Sequence, residues 1–198
     1  NDSNPIPRKR KSDWQNENNS KFSEISDDDI EVMLSKSRII FIDSAIEKNN
    51  KINISESNIV NRIITTIKKV YADDFNEFTV GVISPFRLQC SQISKTISSD
   101  LRSQITIDTV ERYQGSERDI IILSLALNNP YMFEQIQSRV EFEGKMIDRK
   151  LNVSITRAKK QLIILGSEQI LKKDEIYKKL LEYINLKGLF ITNDFFEN

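Results

Sequence analysis

Residues 120–127 form an apolar run broken only by Ser124, and a charged, glycine-bearing stretch, Asp108-Thr109-Val110-Glu111-Arg112-Tyr113-Gln114-Gly115-Ser116-Glu117-Arg118-Asp119, leads straight into it. A run that is apolar on both alternating faces reads as a strand buried on both sides, the pattern of a parallel sheet covered by helices. Three more segments carry the same signature: Arg38 to Ala45 (RIIFIDSA), Thr79 to Ser84 (TVGVIS) and Gln161 to Gly166 (QLIILG). A short strand at Ile105 to Thr109 makes five.

The intervening segments have helical spacing. Between Ser57 and Tyr71, Ile59, Ile63, Ile67 and Val70 fall on one stripe. From Phe86 to about Leu101, Cys90, Ile93, Ile97 and Leu101 share an inner face, which makes Cys90 a core residue rather than a nucleophile. Further helices are expected at Asp148 to Lys160 and Asp174 to Lys187, the last ending at Gly188, and Ser26-Asp27-Asp28-Asp29 caps a short helix through Leu34. Residues 128–147 read as irregular, with Met132, Phe133, Ile136 and Val140 hinting at a helical insertion. Residues 1–29 are polar and read as a linker or loose surface segment, in which Arg8-Lys9-Arg10-Lys11 is either a phosphate contact or a solvated charge run. Residues 30–190 then form one α/β domain, an open sheet with helices on both faces, and 191–198 a tail.

Composition removes several chemistries. With no histidine and one cysteine, the chain cannot assemble a Ser-His-Asp or Cys-His site, a histidine-containing zinc site or an internal disulfide, and no metal site is expected. Its 29 basic and 29 acidic residues cancel, so any attraction to nucleic acid must be local. No apolar stretch reaches the roughly 20 residues of a membrane span, and no apolar h-region follows the basic residues of the amino terminus. A soluble, cytoplasmic protein without membrane contact is the expectation. A first residue that is Asn rather than Met suggests a processed product or a piece of a longer polypeptide.

Three polar clusters, Ser84 to Gln89, Thr109 to Asp119 and Asn152 to Lys160, touch strand ends or the helices between them, and are expected to converge on one sheet edge. In the third, helical arithmetic puts Leu151, Ile155 and Ala158 on the packed face and Thr156, Arg157 and Lys160 on the other. Arg157 would therefore be held outward on a rigid base, either as a fork for anionic oxygens or as the partner of a surface carboxylate. Gly115 permits a tight turn, Gln114 offers donor and acceptor, and Glu117 can accept from a hydroxyl pair such as a ribose.

In this order, VGVISPFRLQ (80–89), TIDTVERYQGSERDIIILSLA (106–126) and LNVSITRAKKQLIILG (151–166) resemble motifs IV, V and VI of superfamily 1 helicases, in the branch that includes senataxin and the nonsense-mediated-decay helicase. The resemblance covers about residues 36–187 and implies the second RecA-like domain of an ATP-dependent translocase, a three-layer fold of the P-loop NTPase type with 128–147 inserted between motifs V and VI. By position, Arg157 resembles the arginine finger, Gln114, Gly115 and Glu117 the group near nucleotide and ribose, and Thr109 and Val110 the backbone contacts to a single strand, with Ser84 and Asn152 beside them. Some relatives place an arginine after the motif IV glutamine. Cys90 stands there in this chain, so Arg87 takes that role or the role is absent. The resemblance further implies ATP and Mg²⁺ held mainly by an upstream RecA-like domain of the same polypeptide, since no G-x-x-x-x-G-K-[ST] occurs among the five glycines. It implies single-stranded DNA or RNA as the track, and inactivity of the isolated chain. A non-catalytic RecA-like module that binds nucleic acid or protein is the other reading. A dinucleotide-binding domain is excluded, because no strand is followed by G-x-G-x-x-G.

Overall fold

The computed structural model describes residues 26–48, 51–113 and 115–196. The segment carrying Arg8 to Lys11, and Gln114, lie outside the described residues. Helix α1 (Asp27–Lys36) opens with a reciprocal cap, Ser26 accepting from the Asp29 N–H and Asp29 from the Ser26 N–H. Strand β1 (Ile39–Asp43), helix α2 (Ile54–Tyr71), strand β2 (Val80–Ser84), helices α3 (Arg87–Thr96) and α4 (Ser99–Arg102), and strands β3 (Thr106–Thr109) and β4 (Arg118–Ser124) follow. Helix α5 (Phe133–Ile136), the hairpin β5 (Arg139–Phe142) and β6 (Lys145–Asp148), helix α6 (Arg149–Thr156) and strand β7 (Ala158–Gly166) come next. Helices α7 (Glu168–Leu171) and α8 (Glu175–Lys187) and strand β8 (Leu189–Ile191) complete the order.

Six strands form one parallel sheet in the order β3-β2-β4-β7-β1-β8. Alternate residues feed two cores: Ile40, Ile42, Ile120, Ile122, Ile163 and Leu165 pack under α1, α2 and α3. Phe41, Ile121, Leu123, Leu162 and Ile164 pack under α5, α6 and α8. This is the three-layer α/β architecture expected of a RecA-like domain, and the two-sided burial of the apolar runs is its cause.

Several boundaries differ from the sequence reading, each for a packing reason. Leu189–Ile191 pairs with β1 as a sixth strand, and Phe195 is fully buried, so the chain beyond α8 belongs to the core rather than a tail. The insertion is helical only at 130–136, where a 3-10 turn (Pro130–Met132) runs into α5; residues 139–148 form an antiparallel hairpin whose base is clamped by Asp148 and Asp174, which accept from the Ser138 N–H, the Gln137 amide and Arg139. Helix α6 stops at Thr156 instead of Lys160, because Ala158 already pairs with Arg118 in the sheet. The helix expected over 86–101 breaks at Ile97. Val70, in the last turn of α2, is 49% exposed, past the reach of the sheet. Cys90 is core as expected, and burial pushes its thiol up to about 11.

The loop from β3 to β4 crosses β2 with the Tyr113 ring pressed on Gly81. A methyl at Gly81 would lie 1.7 Å from the tyrosine oxygen and 2.9 Å from Arg118 Cγ, both fixed by packing. Gly81→Ala is expected to lower stability in urea unfolding by about 1–3 kcal/mol, and adding Tyr113→Phe should recover part of that loss. Independent, additive losses would show that the ring does not hold the loop.

Candidate functional site

Since every strand of the six-stranded sheet runs the same way, the polar clusters are divided between two edges. Ser84 and Thr109 end β2 and β3, whereas Arg118 and Ala158 begin β4 and β7. The clusters are therefore about a β4 length apart, roughly 20 Å. Convergence on one edge does not occur, because a segment after a parallel strand and a segment before one lie at opposite ends of the sheet.

On the amino-end edge, the Arg118 N–H donates to the Arg157 carbonyl at 3.0 Å, which sets Glu117 and Arg157 side by side at the starts of β4 and β7. Arg157 follows the last turn of α6. Its Nε donates to the Val153 carbonyl and its Nη2 to the Thr156 hydroxyl, both at 3.2 Å, and among the described residues it has no carboxylate partner. The surface ion pair open to it in the sequence is not formed among the described residues. The Glu117 carboxylate is half-exposed, with Lys159 at 4.0 Å. Gly115 has φ +85 with open space around it, so the turn beside Glu117 needs glycine for its backbone. Arg118, which sequence reasoning did not single out, fixes this corner. It donates to Thr106 and to the Glu117 carbonyl and lies over the rings of Phe78 and Tyr113.

The carboxyl-end edge is different. Ser84 is fully buried, its hydroxyl accepting from the Phe86 N–H, and the Thr109 and Val110 side chains are buried too. These three can offer backbone, not side chains. Arg87, expected in the role of the motif IV arginine, is exposed here at the start of α3, the length of the sheet away from Arg157. Asn152 is exposed on α6 between the edges; the Lys150–Glu111 ion pair at 2.8 Å ties the start of that helix to the loop after β3.

Behind this edge lies a buried polar network that sequence reasoning missed. Glu56 Oε1 accepts from the Ser44 hydroxyl at 2.9 Å, and Oε2 from the Ser124 hydroxyl at 2.6 Å and the Ala126 N–H at 3.0 Å. The Gln89 amide donates to Ser124 and to the Asn53 carbonyl and accepts from the Asn53 N–H. The signal was present: Glu56 stands at i−3, i−7 and i−11 to Ile59, Ile63 and Ile67, a carboxylate on a core stripe. Among the described residues no group of His, Cys, Asp and Glu could hold a metal ion, and no helix is long and apolar enough to cross a membrane.

Comparison with known proteins matches residues 8–169 to a family model described as an AAA domain. The chain is 35% identical over 136 residues to the DNA polymerase alpha-associated DNA helicase A of Saccharomyces cerevisiae, covering 66% of this chain and 18% of that protein. It is 30% identical over 148 residues to the DNA replication ATP-dependent helicase/nuclease DNA2 of Bos taurus, covering 74% and 13%. It is 30% identical over 147 residues to Regulator of nonsense transcripts 1 of Dictyostelium discoideum, covering 71% and 10%. The chain thus spans less than a fifth of each of these relatives.

Proposed function

Because the chain belongs to the AAA domain family, with its superfamily 1 helicase motifs on a RecA-like sheet, we propose that it is the second motor domain of an ATP-dependent DNA or RNA helicase. One observation carries this reading most: Arg157 stands beside Glu117 on one edge with no acidic partner among the described residues to neutralise it. The donor chemistry suits a nucleotide, since a planar guanidinium binds anionic oxygens in pairs and a half-exposed carboxylate accepts from vicinal hydroxyls. A bound nucleotide would supply the phosphoryl group and its negative charge, which Mg²⁺ and Arg157 would neutralise, and their main cradle belongs to another domain of the polypeptide.

On this reading Arg157 reaches across the domain boundary as the finger, and Glu117, with Gln114 and Gly115, orients the sugar. The carboxyl-end edge faces the single strand through the backbone of Ser84, Thr109 and Val110. Arg87 is a phosphate contact there, with Asn152 at the margin. The chain alone does not hydrolyse nucleotide.

Hydrolysis stimulated by single strands, measured on the polypeptide bearing this domain, tests the rim. Losing a charged hydrogen-bond acceptor costs about 1.5 kcal/mol or more, so Glu117→Ala should raise the KM for ATP about tenfold with little change in kcat. An unchanged KM would remove Glu117 from the nucleotide.

A further inference from the structure

Next to Arg157 on the amino-end edge, a groove of about 370 Å³ runs between the start of β1 and the last turns of α8. Ile155, Leu162 and the Tyr183 ring form its apolar wall, and Arg38, Lys160 and Lys187 its rim; among the described residues no carboxylate lines it. In a chain of zero formal charge such a one-sign lining is a local feature. The cations are not equally free. Lys160 lies 2.8 Å from Asp119. Among the described residues Arg38 donates only to the carbonyls of Lys160 and Lys159, which hold its guanidinium at the mouth, and Lys187 has no carboxylate partner. Tyr183 and Leu186 are 52% and 43% exposed, large apolar surface left open beside the charge.

We propose that this groove docks an acidic segment bearing an apolar side chain, presented by the domain that brings the nucleotide to Arg157. The inference rests on the helicase-domain reading and adds the chemistry of the partner surface. Charge complementarity selects an anionic occupant, and the apolar wall with its open tyrosine selects a polypeptide over a bare phosphate. Position selects which polypeptide. Ala158, which lines the groove, follows Arg157 directly, so whatever closes on Arg157 passes over the groove. The nucleic-acid strand belongs to the other edge, about 20 Å away along the strands. Docking here orients the two domains before the finger engages.

The test is photocrosslinking in the polypeptide that carries this domain, with p-benzoylphenylalanine in place of Tyr183, a non-hydrolysable ATP analogue and a single strand present. The expected product is an intramolecular adduct mapped to an acidic stretch of the P-loop-bearing part. Arg38→Glu with Lys187→Glu should lower its yield at least about fivefold at low salt, the size of losing and reversing exposed ion pairs. An adduct on nucleic acid or on a second copy, no adduct, or a yield indifferent to the charge reversal overturns the proposal. The readout is the position of a covalent bond, so it stands apart from hydrolysis. Loss of hydrolysis in Arg157→Ala without any adduct would leave the helicase reading intact and remove only the docking groove.

Discussion

Arg157→Ala is expected to lower strand-stimulated ATP hydrolysis by about 10³-fold or more while the KM for ATP moves less than about tenfold, the pattern of a group that acts chiefly on the transition state. The geometry makes this substitution clean. The Arg157 backbone terminates α6 and bonds β4 through its carbonyl, and neither feature depends on the side chain. The guanidinium rests on Val153 and Thr156 and buries no core surface, so the fold should survive its loss. Arg157→Lys keeps the charge and loses the two-pronged fork, and should recover little of the rate if paired oxygens are what it binds. A kcat within a factor of about two of the original would refute the finger assignment. So would equal loss of ground-state binding, because a residue that merely attracts the nucleotide changes KM and leaves turnover alone.

The layered α/β fold was readable because β1, β4 and β7 are apolar at consecutive positions, a pattern that tolerates no solvent face. What failed was assembly information. Leu189–Ile191 is too short to announce a strand and becomes one only because β1 offers a free edge. Arg157 to Lys160 continues a helical pattern, yet pairing with β4 wins from Ala158 onward, since a parallel ladder in a buried sheet satisfies more backbone than one further helical turn. The candidate residues Glu117 and Arg157 were legible as types, and the Arg118–Arg157 backbone bond brings the two positions side by side. Arg87 was legible as a type and misplaced, because sequence order does not say that the end of β2 and the start of β7 are opposite ends of the same layer. Glu56 was passed over because the helical reading began at Ser57, one residue after it, and its burial follows only from the stripe it shares with Ile59, Ile63 and Ile67 once the helix starts at Ile54.

That buried acid gives the second large effect. Glu56→Ala removes the acceptor of the Ala126 N–H and of two serine hydroxyls in a fully buried position. The hydroxyls can turn elsewhere, but the amide cannot. At about 1–3 kcal/mol for each buried donor left unmet, a loss of about 3 kcal/mol in urea unfolding is expected. Glu56→Gln should cost far less: its amide oxygen can serve Ser124 and Ala126, and the Ser44 hydroxyl can accept from its NH₂ group. The two variants also separate charge from shape. Burial holds the Glu56 carboxyl above its ordinary value, outweighing the hydrogen bonds from Ser124, Ser44 and Ala126. A carboxyl raised by folding contributes stability that is fully present below its unfolded value and is lost as pH climbs through the folded one. The original chain should therefore lose stability relative to Glu56→Gln as pH rises above the usual carboxylate range. A difference that grows in the opposite direction would mean that the three donors hold Glu56 as a carboxylate, with the network built around a charge instead of a proton.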